Sequence, residues 1–105
     1  MQNRFVLTGL PRELRSTEGA QEELQAYVED ETCWIDRFAW IQEAGAEHLT
    51  AAVELDLENV RNQAIADLDG REIQLPLSDL SFTAHAAAAT SAQSDRLVEL
   101  CADNG

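Results

Sequence analysis

The sequence predicts an α+β fold whose elements run β-α-β-β-α-β, a four-stranded antiparallel sheet with two helices on one face. Three observations predict it. Two neighbouring segments, Cys33 to Ile41 and His48 to Leu55, have the residue types and alternation of paired strands and flank a turn containing Gly45. Two others repeat apolar residues at intervals of three and four, as a half-buried helix does. Short strand-like runs stand at both ends, in Arg4 to Leu10 and between Ile73 and Ala84. With 105 residues, 45% of them hydrophobic, the chain is sized for one domain with a modest core.

The first strand is the apolar run Arg4 to Leu10, stopped by Gly9 and Pro11. Ala20, Leu24, Tyr27 and Val28 then draw one stripe on a helix, with Glu22, Glu23, Glu29 and Asp30 outside it. Ser16 or Thr17 is placed to cap its start. From Cys33 to Ile41 the residues turn β-branched and aromatic, including Trp34, Ile35, Phe38, Trp40 and Ile41. Gln42 to Glu47 is a hairpin turn, and His48 to Leu55 is the partner strand. Along it Leu49, Ala51, Val53 and Leu55 form an apolar face, and Thr50, Ala52 and Glu54 a solvated one.

Asp56 is placed to cap a helix from Leu57 to Leu68, with Leu57, Val60, Ala64, Ile65 and Leu68 buried and Asp69-Gly70 as its stop. The last strand lies between Ile73 and Ala84. Because Pro76 cannot donate to a ladder, that strand is either an edge or begins after it, at Leu80 to Thr83. The domain proper therefore covers 1–84. Residues 85–105 read as an Ala- and Ser-rich linker and a short C-terminal helix or tail. In that tail Leu97, Val98 and Leu100 share one side, and a segment so short must dock or fray. The predicted core is Phe5, Leu7, Leu24, Val28, Leu49, Val53, Leu55, Val60, Ala64 and Leu68.

This element order is that of the split βαβ, ferredoxin-like sandwich. Within it the chain resembles an RNA recognition motif (RRM) domain over roughly residues 4 to 84. Phe5-Val6-Leu7-Thr8-Gly9-Leu10-Pro11 is similar to the family's first-strand motif, which usually ends in Asn-Leu-Pro. Ala64-Ile65-Ala66-Asp67-Leu68-Asp69-Gly70-Arg71-Glu72-Ile73 is similar to the exit from its second helix. In that family, aromatics on the open faces of the first and third strands stack bases. The matching positions here are Val6, Thr50 and Ala52, and His48 stands where a basic residue opens the third-strand motif. Glu54 and Asp56 lie where phosphates would pass. A stacked base is worth about 1–3 kcal/mol, so three missing platforms remove much of the affinity this face would supply. The resemblance implies the fold and a degenerate site, with nucleic acid an unexpected partner.

The register of the second strand decides where its aromatics go. An even hairpin loop sends Phe38 and Trp40 into the core beside Ala51 and Val53. An odd loop leaves them beside Thr50 and Ala52 as an open aromatic patch. The first alternative buries more apolar area and leaves Arg37 outside, which favours it.

Charge narrows the function classes. Asp and Glu number 20 against seven cations, all of them Arg, for a net charge of −13. Such a surface repels phosphate backbones and anionic lipid and attracts basic proteins. Without Lys there is neither a phosphate-loop lysine nor Schiff-base chemistry. His48 and His85 lack partners at metal-ligand spacing. Asp67-x-Asp69-Gly70 echoes a calcium loop, but its first and last ligands would be Ile65 and Pro76. Cys33 and Cys101 form no Cys-x-x-Cys pair. No stretch approaches a membrane span or a secretory apolar segment. The expectation is a cytoplasmic non-enzyme with no catalytic residue, metal or cofactor.

The reading these features favour is an acidic protein-interaction module binding a protein with a basic surface. In its sharpest version it is an inhibitor or nucleic-acid-mimicking decoy, as acidic phage-encoded anti-defence proteins are as a class. The candidate contact residues are Glu22, Glu23, Glu29, Asp30, Glu31, Glu54, Asp56 and Glu58, with Trp34, Phe38, Trp40, Leu97 and Leu100 as apolar candidates. The alternative is an atypical RNA-binding RRM that uses loops or tail, with Arg4, Arg12 and Arg15 as a basic corner.

Overall fold

The structure, a computed structural model, describes residues 3–41 and 45–102. Its elements are β1 (Arg4–Leu10), α1 (Glu13–Ser16), α2 (Ala20–Glu31), β2 (Ile35–Ile41), β3 (Leu49–Leu55), a 3₁₀ turn (Glu58–Val60), α3 (Arg61–Leu68), β4 (Arg71–Leu75), β5 (Leu80–Ala88) and α4 (Ser91–Ala102). The strands form one five-stranded antiparallel sheet in the order β2-β3-β1-β5-β4. This α+β arrangement is compatible with a ferredoxin-like fold, but it has a strand more than the four expected. The predicted turn over Gln42 to Glu47 lies partly outside the described residues.

Pro76 explains the extra strand. The apolar run before it pairs with the run after it, Leu75 opposite Leu80, and the proline sits in the connecting loop, where no ladder hydrogen bond is needed. Asp79 closes that loop at φ +55. β5 continues well beyond the predicted limit. Its first half pairs with β4, and Ala88, Ala87, Ala86 and His85 pair with Phe5, Val6, Leu7 and Thr8 of β1. The segment expected to be a linker is therefore strand as far as Ala88 and helix from Ser91.

On one face, Phe5, Leu7, Leu49, Val53 and Leu55 meet Leu24 and Val28 of α2 and Ala64 and Leu68 of α3, all fully buried. Nine of the ten predicted core residues are buried, and Val60 packs at the margin. Leu10 joins this core although its spacing from Leu7 is odd. A bulge in β1 pairs Leu7 with Ala51 and Leu10 with Leu49, and Gly9 at φ +75 supplies the left-handed residue that turns the strand back inward.

The other face differs from expectation. β3 was predicted to expose Thr50, Ala52 and Glu54, yet Ala52 and Glu54 are buried. α4 lies across the sheet and sets Leu97 against Val6, Ile41 and Ala52, with Ala39, Ala89, Leu100 and Cys101 around them. Short side chains on the strands let the helix approach closely. The tail is thus a twelve-residue helix, and the sheet has helices on both faces.

The predicted caps also differ. α2 follows Gly19 at φ +81, after the short helix α1, and neither Ser16 nor Thr17 caps it through a side chain. Asp56 is likewise not a cap, because the chain runs through the 3₁₀ turn before α3 begins.

Candidate interaction surface

The positions matching the RRM stacking platforms are the floor of the second core. Val6 and Ala52 are buried under α4, and Thr50 is half-buried. Beside them Glu54 Oε2 receives Arg4 Nε at 2.6 Å and Arg37 Nη1 at 3.3 Å. Arg4 and Glu54 are nearly enclosed, so Glu54 balances buried charge and offers nothing to a partner.

Structure divides the remaining candidate carboxylates into two groups. Glu23 holds the β4–β5 loop, accepting from the Leu77 N–H at 2.9 Å and the Ser78 hydroxyl at 2.6 Å. Glu29 accepts from the Ile35 N–H at 3.0 Å and so secures the entry to β2. Glu31 pairs with Arg71 at 2.6 Å, and its hydrogen bond, with the neighbouring Tyr27, raises the Arg71 pKa above its ordinary value. These three act within the fold. Glu22, Asp30, Asp56 and Glu58 are exposed, and their carboxylates form no hydrogen bond or ion pair among the described residues. The eight carboxylates are therefore not one continuous track.

The aromatics divide as well. Phe38 pairs with Val53 and Trp40 with Ala51, so both face the helices of the main core. Their rings meet edge to face at 5.0 Å, and the Trp40 indole N–H donates to Gln21 at 2.9 Å. Trp34 does not share that face, because it precedes a bulge that pairs Ile35 with Leu55 but Arg37 with Glu54. Trp34 is 71% exposed. Leu97 and Leu100 are spent on docking α4, which leaves Trp34 as the one apolar candidate facing solvent.

The backbone around Trp34 is held from several sides. The Thr32 N–H and hydroxyl both donate to Val28 O, at 2.9 and 2.6 Å, and close the end of α2. The Asp56 N–H donates to Trp34 O at 2.8 Å, and Glu29 holds the next residue. These hydrogen bonds hold the backbone beneath the exposed indole. Beside it is a groove of about 540 Å³ lined by Ala26, Glu29, Asp30, Cys33 and Trp34. Asp56, Leu57 (51% exposed) and Glu58 follow directly from the Trp34–Asp56 contact at the same end of the sheet.

The basic corner expected of an RNA binder is largely committed elsewhere. Arg4 is tied to Glu54, and Arg12 donates to Ala46 O. His48 is exposed, and His85 lies 3.6 Å from Asp69. Among the described residues no group of three His, Cys, Asp or Glu converges as a metal site, and no helix is long and apolar enough to cross a membrane.

The start of α4, earlier than the short C-terminal helix expected, left a readable signal. Thr90-Ser91-Ala92-Gln93 is a capping box: Thr90 Oγ1 accepts from the Gln93 N–H at 3.2 Å and Gln93 Oε1 from the Thr90 N–H at 2.9 Å. The motif marks the start of α4 directly. No protein-family model matches the chain, and no curated protein matches its sequence.

Proposed function

We propose that the chain is an acidic protein-interaction module of degenerate RRM-like, ferredoxin-like fold, and not an enzyme, that engages a basic protein surface. The observation that carries the reading is Trp34, 71% exposed on a hydrogen-bonded backbone, with the exposed Asp30 lining the same groove and Asp56, followed by Glu58, bonded to its carbonyl. Aromatic anchors supply much of the energy at protein interfaces, and a surrounding field of one sign speeds encounter with its complement. The closed sheet face argues against the RNA alternative, since the positions that would stack bases are packed under α4. Competition for a basic groove that otherwise receives phosphates is the role this surface suits.

The test is affinity capture from the native host, comparing the wild-type chain with the triple reversal Asp30→Arg, Asp56→Arg, Glu58→Arg. Glu23 and Glu29 are left intact, because reversing them would break contacts that hold the fold. The expected result is a basic partner that the reversed chain fails to retain and that salt releases from the wild type. Equal capture by both chains would refute the reading. Single-stranded RNA should give no complex with either chain near 150 mM salt, on the order of cellular ionic strength.

A further inference from the structure

We propose that the groove beside Trp34 receives an arginine side chain from a basic partner segment, its guanidinium stacked on the indole and paired with the Asp30 carboxylate. This rests on the interaction-module reading and assigns its contact point. Ala26, Glu29 and Asp30 lie at i, i+3 and i+4 on one ridge of α2, and Cys33 and Trp34 close the groove where the chain leaves the helix. The small side chain of Ala26 leaves the space open.

The lining combines an aromatic ring, two carboxylates and no cation. That pairing selects a planar cation. Indole is the best of the aromatic faces for a cation, and arginine both stacks on it and presents a fork of N–H donors to a carboxylate. Glu29 already uses Oε2 to accept from Ile35, which fixes its position and leaves Asp30 as the exposed acceptor. The held backbone means that little ordering is needed on binding.

The experiment is an NMR titration of the ¹⁵N-labelled full chain at low salt with a blocked Gly-Arg-Gly peptide and its citrulline counterpart. Citrulline keeps the shape and removes the charge. The expected result is a saturable shift of the Trp34 indole and of the Ala26, Asp30 and Cys33 amides with the arginine peptide only. Trp34→Leu, which keeps an apolar side chain without a π face, should weaken binding about three- to fivefold. Asp30→Asn should weaken it roughly twofold or more. Equal binding of the citrulline peptide would overturn the assignment, as would unchanged binding by Trp34→Leu. If the arginine peptide shifts acidic residues elsewhere and not these, the groove assignment fails while the interaction-module reading stands. If it shifts nothing at low salt, both fail.

Discussion

Replacing Leu97 with Ala tests how α4 is held on the sheet. Leu97 is fully buried and is the central helix residue of the smaller core, against Val6, Ile41 and Ala52. Truncation removes three carbon atoms from a dry contact. At about 0.8 kcal/mol per buried methylene the transfer loss is roughly 2.4 kcal/mol, before any cavity contribution. The outer face of α4 borders solvent, so the helix can settle into part of the void. The total should fall near the lower end of the Leu→Ala range, about 3 kcal/mol. In a domain of this size that lowers Tm by roughly 10–20 °C. Urea unfolding reads the change directly, and Leu77→Ala, at a residue 91% exposed, serves as the control. Because an isolated helix of this length is marginal, amide exchange in α4 should accelerate beyond the global change. A destabilisation below about 0.5 kcal/mol, the ordinary size of a surface substitution, would refute the docking argument.

Four further substitutions test other parts of the fold. Glu54→Ala should destabilise by about 3 kcal/mol or more in urea, because it leaves Arg4 buried without its counter-charge. Arg37→Ala, at the side-chain half of the network that is 40% exposed, should cost under about 1 kcal/mol. Gly9→Ala should cost about 1–2 kcal/mol from its positive φ alone, since the added Cβ meets His85 and Thr83 only at 3.7 Å; a neutral substitution would mean that the bulge is not needed. Thr90→Ala removes the cap of α4 and should lower stability by about 1 kcal/mol, and an unchanged urea midpoint would show that docking alone sets the helix start.

Local pattern determined much of this protein. β1, the β2–β3 pair and the stripes of α2 and α3 are legible because each buries one face, and burial imposes a period of two or of three to four. The capping box of α4 was equally local. The strand from Ala84 to Ala88 was not, because alanine has low strand propensity and pairs here only because β1 offers an edge. The fate of the second face of the sheet was likewise tertiary: Val6, Ala39 and Ala52 suit an open surface as well as a floor, and only the return of α4 closes it. So was the exposure of Trp34, since a bulge against β3 sends Phe38 and Trp40 inward and leaves their neighbour outside. The acidic residues show the same division most sharply. Glu22 and Glu23 are adjacent and chemically identical, yet one is open to solvent while the other holds a loop 54 residues away. A carboxylate is an acceptor wherever it stands, and whether it meets a donor of the fold or of a partner depends on distant chain that only folding brings near.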